Sequence, residues 1–178
     1  MSQYKIIFTG PVGAGKTTAI NAISDMPPVK TDAVASDMTK NRKASTTVAM
    51  DYGVMNLAGG EKIHLYGTPG QERFDFMWDI LVNGGIGLIL LLDNTRADPF
   101  QDMKFFLDAF SKFISDTSLA IGVTQMDLSN RPTINDYHER LQAFGIKPPV
   151  FAVDAREKND VSLLVQALLY SLDPGLAE

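Results

Sequence analysis

The sequence predicts a three-layer α/β fold in which a six-stranded, mostly parallel sheet with one antiparallel hairpin strand is covered by about five helices. Three observations carry this. Apolar, strand-like runs alternate with helical stretches along most of the chain, which is the pattern of a parallel sheet with both faces covered. The link Ala58-Gly59-Gly60 is too short for a crossover, so the strands on either side of it must form a hairpin. The octet Gly10-Pro11-Val12-Gly13-Ala14-Gly15-Lys16-Thr17 follows the first strand at the spacing GxxxxGK[ST], a phosphate-binding loop between strand and helix.

The elements follow in order. Strand-like runs span Tyr4 to Thr9, Thr46 to Leu57, Lys62 to Tyr66, Ile86 to Asp93, Leu119 to Thr124 and Pro149 to Val153. Helical stretches lie at Lys16 to Met26, Glu72 to Asn83, Phe100 to Ser115, Thr133 to Phe144 and Val161 to Leu172. Pro27-Pro28 should stop the first helix, and Thr133 and Asp160 are suited to cap the last two. Val29 to Ser45 is polar, lacks periodicity and holds Lys30, Lys40, Arg42 and Lys43. A connection of that length is expected to be a loop that nucleotide orders.

A chain of 178 residues, 45% hydrophobic, suits a single domain over 1–178. The net charge of −5 argues against general affinity for nucleic acid or anionic membrane. With no cysteine there is no disulfide, thiolate metal site or prenylation signal, and Ser2 in place of glycine argues against myristoylation. The apolar run Ile86 to Leu92 is too short to span a bilayer, so a cytoplasmic protein is expected.

The octet dictates its chemistry. Gly13, Ala14 and Gly15 let successive backbone N–H groups close on phosphates, Lys16 brings a cation to the outer ones, and Thr17 offers a hydroxyl to Mg2+. Thr18 lies in the first turn of the helix that follows, whose unpaired N–H groups and dipole favour an anion. This is the arrangement of the P-loop NTPase fold.

Further motifs follow in an order and spacing that resemble the Ras-like small GTPases over essentially the whole chain: Thr47-Val48-Ala49-Met50-Asp51-Tyr52, then Thr68-Pro69-Gly70-Gln71-Glu72-Arg73, then Thr124-Gln125-Met126-Asp127, then Asp154-Ala155-Arg156. The likeness is strongest to bacterial small GTPases of the gliding-motility (MglA) and conservon type. It implies a GTP-binding switch that hydrolyses GTP slowly and cycles between GTP and GDP states to control a protein partner. By that resemblance, Gln71 orients the attacking water, Gly70 senses the terminal phosphate, and Thr47 joins Thr17 as a metal ligand. Ala155 and Arg156 belong to the loop that meets the guanine oxygen, and Thr124 and Gln125 to the base-reading loop. Asp127 makes sense without the resemblance, because a carboxylate accepts from guanine N1–H and the 2-amino group, where adenine offers an acceptor instead.

Three positions depart from the family pattern. Gly67 stands where an aspartate usually supports magnesium, which predicts weaker metal dependence. The base-reading motif keeps only Asp127, which predicts modest affinity and a less strict preference for guanine. Val12 would crowd an arginine supplied by a partner, and Arg42 is a candidate internal arginine finger. A non-hydrolysing scaffold is the alternative that these departures raise. An ATP-dependent P-loop enzyme is a further one, although the dispersed arginines give no sign of a lid. The apolar segment Phe74, Phe76, Met77, Trp78, Ile80, Leu81, Val82 is a broad stripe, and Phe74, Phe76 and Trp78 form a candidate surface for an effector or regulator, in similar bacterial proteins often a roadblock-domain protein.

Overall fold

A computed structural model describes residues 2–27, 29–35, 46–69 and 75–172. In chain order these form β1 (Gln3–Thr9), α1 (Lys16–Ile23), β2 (Val29–Ala35), β3 (Thr46–Asn56), β4 (Lys62–Gly67), α2 (Asp75–Leu81), β5 (Gly87–Asp93), α3 (Pro99–Ala109), α4 (Ser111–Asp116), β6 (Leu119–Thr124), α5 (Ile134–Ala143), β7 (Val150–Ala152) and α6 (Lys158–Leu172). The sheet order is β2-β3-β4-β1-β5-β6-β7. From β4 to β7 all pairings are parallel, and β3 runs antiparallel to β4 through the tight Gly59-Gly60 turn.

The α/β architecture and the six strands expected from sequence are present, and a seventh, β2, extends the sheet within the stretch read as a loop. It pairs antiparallel with β3 from Val29↔Tyr52 to Ala35↔Thr46. An edge strand is held by one ladder and tolerates Lys30 and Asp32, so it carries no strong apolar signal. The helix expected over Phe100 to Ser115 is two helices, α3 and α4, interrupted at Phe110 (φ −103°, ψ 16°). Helix α1 ends at Ile23, ahead of the prolines, because the Asp25 N–H donates to Val54 O at 2.7 Å and draws the chain onto the edge of β3.

Alternation along the strands builds the three layers. In β1, Ile6 and Phe8 pack with Ile20, Ile23, Leu164 and Leu168 of α1 and α6, whereas Ile7 faces the opposite layer. There Leu88, Leu90 and Leu92 of β5 meet Trp78, Met103, Phe106 and Tyr137. Every residue of β5 and β6 is buried, as expected for parallel strands covered on both sides. This rigid centre presents the carboxyl ends of β1, β5, β6 and β7 along one edge, where ligands of open parallel sheets bind.

Candidate functional site

The phosphate loop leaves β1 at Gly10, whose backbone (φ 147°) sits so close to β5 that a Cβ there would lie 2.1 Å from the Leu91 carbonyl oxygen. Only glycine fits. Lys16 folds back under the loop and donates to the carbonyls of Gly10 (2.6 Å) and Pro11 (2.9 Å). An ammonium has three donors, so one is left for the concave side of the loop. Burial lowers the Lys16 pKa to about 8, against which the Asp51 carboxylate pulls it up. Helix α1 starts after Gly15 with no side-chain cap and no acidic residue in its first turn. Its leading N–H groups, at Lys16, Thr17 and Thr18, are thus left for an anion.

The structure supplies the carboxylate that the sequence lacked at Gly67. Asp51 lies directly across the ladder from Gly67, and its Oδ2 accepts a hydrogen bond of 2.5 Å from the Thr17 hydroxyl. A side chain at 67 would meet Asp51 Cβ and Ile20 Cδ1, each at 3.1 Å. The neighbouring strand thus brings a carboxylate to Thr17 although position 67 carries no side chain. Asp51 is 34 residues from Thr17, and only the β3–β4 register brings it there. Magnesium is commonly held by one or two carboxylates together with nucleotide phosphates, and a hydroxyl beside a carboxylate fits it. Among the described residues no group of three His, Cys, Asp or Glu side chains forms a separate metal cluster.

Thr47, expected beside Thr17, is in the β2–β3 ladder opposite Val34. Four residues of strand, about 13 Å, separate it from Asp51. Gly70, Gln71 and Arg42 lie outside the described residues, as does Phe74, and of Phe76 only the backbone in α2 is described.

Next to the phosphate loop a cleft of about 630 Å³ runs between Gly13, Thr18, Asp127, Leu128, Asp154 and Arg156. Its walls are joined. The buried Thr124 hydroxyl donates to Ala14 O (2.9 Å) and Leu92 O (3.2 Å), and Gln125 Nε2 donates to Gly13 O (3.2 Å). The departures Thr124 and Gln125 thus tie the base-reading loop to the phosphate loop by their own hydrogen bonds. Gln125 adopts a left-handed backbone (φ 61°), rare for a residue with a side chain.

The last loop is equally prebuilt. The Asp154 N–H donates to Asp160 Oδ2 (2.8 Å), and Asp154 Oδ1 accepts from the Arg156 N–H (2.9 Å). The Arg156 guanidinium grips the Asp154 carboxylate with Nε (2.9 Å) and Nη2 (2.8 Å) and holds its pKa down to about 2. The residue between these two partnered amides is Ala155. Gly15 is packed against it: a Cβ at Gly15 would lie 2.9 Å from the Ala155 Cβ.

Trp78 corrects the surface reading of α2. It is 3% exposed, stacks on Phe106 and Phe110, and donates from Nε1 to Pro69 O at 3.3 Å. Met77, Trp78 and Leu81 face the core, whereas Ile80 is 68% exposed. Seven apolar residues spread over nine positions cannot show by themselves which of them points outward. Val12 is also exposed, at 58%, on the rim of the phosphate loop.

Among the described residues no helix is long and apolar enough to cross a membrane. The chain is similar to Ras-related protein RabC of Dictyostelium discoideum, 23% identical over 176 residues that cover 96% of this chain and 84% of the relative. To Ras-related protein Rab-18-B of Danio rerio it is 25% identical, over 100% of this chain and 84% of the relative. The G domain of the T. maritima FeoB iron transporter superposes with a TM-score of 0.67 at 18% identity, covering 94% of this chain and 98% of that one, so the fold is that of a P-loop G domain. A family model, ATP_bind_1, matches residues 27–160, well over half of the chain. The chain therefore belongs to the family described as conserved hypothetical ATP binding protein.

Proposed function

We propose that the protein is a GTP-binding molecular switch, of the bacterial gliding-motility and conservon type, that hydrolyses GTP slowly and transmits its nucleotide state to a protein partner. The observation that carries the reading is one cleft lined by Gly13, Gly15 and Thr18 of the phosphate loop and the start of α1 at one end and by Asp127 and Ala155 at the other. A triphosphate at the phosphate-loop end would place its base against the Asp127 carboxylate. That carboxylate would accept from guanine N1–H and the 2-amino group, and the Ala155 N–H is proposed to donate to the guanine oxygen. Adenine would present an acceptor to Asp127 and an amino group to the amide, leaving both protein groups unpaired at a cost of about 1–3 kcal/mol each. Although the family's description names ATP, this argument favours GTP, and the relatives similar over the whole chain are Ras-related proteins.

The roles of the chain's own residues follow. The loop N–H groups and the free donor of Lys16 bind the phosphate oxygens, and the α1 N-terminus adds its dipole. Thr17 and Asp51 would hold magnesium, which when bound offsets charge on the phosphate oxygens. Phosphoryl transfer asks mainly for positioning, and Gln71 is proposed to orient the water. Arg42 and Thr47 are proposed to join the site when the nucleotide changes state, Thr47 by leaving the β2–β3 ladder. Val12 on the rim narrows the approach for an arginine from a partner, in keeping with slow turnover.

The partner, proposed to be of the roadblock-domain kind, would dock beside the Gln71 segment, with exposed Ile80 rather than Trp78 as its apolar contact. A single-turnover assay of phosphate release from GTP tests the switch reading. Slow release by the wild type, lost in Gln71→Leu with binding intact, is expected; no release from the wild type with magnesium present would leave a non-hydrolysing scaffold instead.

A further inference from the structure

Asn94, just past the end of β5, touches the base-reading loop at both ends. Its backbone N–H donates to the Thr124 carbonyl at 3.1 Å, where the loop begins. Its side-chain Nδ2 donates to the carbonyls of Ser129 (2.7 Å) and Pro132 (3.1 Å), where the loop returns. Its Oδ1 accepts from the Tyr137 hydroxyl at 2.7 Å. The two carbonyls can be satisfied only by the amide nitrogen, and the oxygen is left for the hydroxyl, so the orientation of the amide is fixed by its partners. Asn94 is 2% exposed and Tyr137 fully buried. Burial, with Asp102 and Asp93 nearby, raises the Tyr137 pKa and keeps the hydroxyl a donor.

The loop so gripped is strained. Gln125 takes a left-handed backbone, and its carbonyl receives the N–H groups of Leu128 (3.1 Å) and Ser129 (3.2 Å), closing a turn around Asp127. Such a conformation persists only where its surroundings over-determine it. A buried, fully partnered asparagine meets that need, because releasing it would orphan two carbonyls and a hydroxyl at once.

We propose that Asn94 is a positioning residue for base selection: by stapling both ends of the 125–132 loop it holds Asp127 at the angle that reads the guanine 2-amino edge. The inference rests on the reading of the cleft as a guanine site. It predicts that Asn94 governs the preference for the base and not the grip on the phosphates, which belongs to Lys16 and the α1 N-terminus.

The test compares GTP, inosine triphosphate, which lacks the 2-amino group, and inorganic tripolyphosphate as ligands of the full chain. The wild type should hold GTP about tenfold or more tighter than the inosine nucleotide, the size of a hydrogen bond to a charged group. Asn94→Ala should lower that ratio by about threefold or more, with tripolyphosphate binding within about twofold of wild type. Tyr137→Phe, which keeps both Asn94 donors, should move the ratio in the same direction by less. A folded Asn94→Ala protein that keeps the wild-type ratio, or that loses GTP and tripolyphosphate alike, overturns the inference alone. If Asn94→Ala does not fold, an unchanged ratio in Tyr137→Phe overturns it. A wild type that does not distinguish the two purines overturns the guanine reading and this inference with it.

Discussion

Asp51 and Gly67 face each other across the β3–β4 ladder, and the carboxylate of the first reaches Thr17 at the mouth of the phosphate loop. The absent side chain at 67 is what leaves room for it, since a Cβ there would press on Asp51 and Ile20 at 3.1 Å. The strand that flanks the site thus contributes the acidic group, and moving β3 against β4 would move it.

Asp51→Asn should speed nucleotide release in the presence of magnesium by about 10–100-fold and make release nearly insensitive to chelator. Gly67→Asp alone should not help, because the new side chain has no room beside Asp51. Pairing it with Asp51→Gly should recover part of the metal dependence. Release of a fluorescent GDP analogue, with and without chelator, reads all three; a metal dependence in Asp51→Asn equal to wild type would contradict the assignment.

Lys16 makes binding depend on pH. In the nucleotide-free protein its pKa is lowered to about 8 by burial, while the unfolded chain has the ordinary 10.5. Phosphate needs the charged form, so above pH 8 nucleotide binding must take up a proton, and affinity should fall about tenfold per pH unit. Folding stability of the nucleotide-free protein moves the other way: between pH 8 and 10.5 the unfolded chain binds more protons, so stability rises with pH. Calorimetric titration at pH 9 in two buffers of different ionisation enthalpy should give uptake close to one proton, and no uptake would contradict this.

Two glycines of the phosphate loop differ in what they protect. Gly10→Ala drives a methyl into the Leu91 carbonyl at 2.1 Å, a contact with backbone that cannot yield, and should cost several kcal/mol of stability or prevent folding. Gly15→Ala meets only the Ala155 methyl, at 2.9 Å, but at φ 100°. It should cost about 1–3 kcal/mol and weaken nucleotide binding, since it pushes apart the loops that share the ligand. Thermal unfolding and nucleotide titration separate the two effects.

On α2 the buried and exposed faces predict opposite phenotypes. Trp78→Ala removes a ring stacked on Phe106 and Phe110 and should destabilise the fold by about 3–5 kcal/mol. Ile80→Asp should change stability by less than about 0.5 kcal/mol and weaken the partner interaction. A melting temperature for Trp78→Ala equal to wild type would contradict the core assignment.

Much of this was legible in the sequence, for reasons that differ by element. The octet around Lys16 is local, so its spacing alone announces the loop, and the buried strands β5 and β6 betray themselves as unbroken apolar runs. Asp127 and Ala155 sit in short motifs after strands and needed only topology to meet. Asp51 and Asn94 were not legible as parts of the site. Each acts through a partner 30 or more residues away, Asp51 on Thr17 and Asn94 on Ser129, and a residue that works through register or a long return leaves no spacing signal. The edge strand β2 was hidden for another reason, since one ladder of backbone hydrogen bonds holds it whatever its side chains. The inward face of α2 depends on which side of a short helix meets α3, and seven residues are too few to fix that by periodicity.

The most direct measurement is a competition titration of GTP and ATP on the purified protein with magnesium present. The account predicts GTP bound at least about tenfold tighter than ATP, with the preference lost in Asp127→Ala. Equal or tighter binding of ATP, or no binding of either nucleotide by well-folded protein, would contradict it.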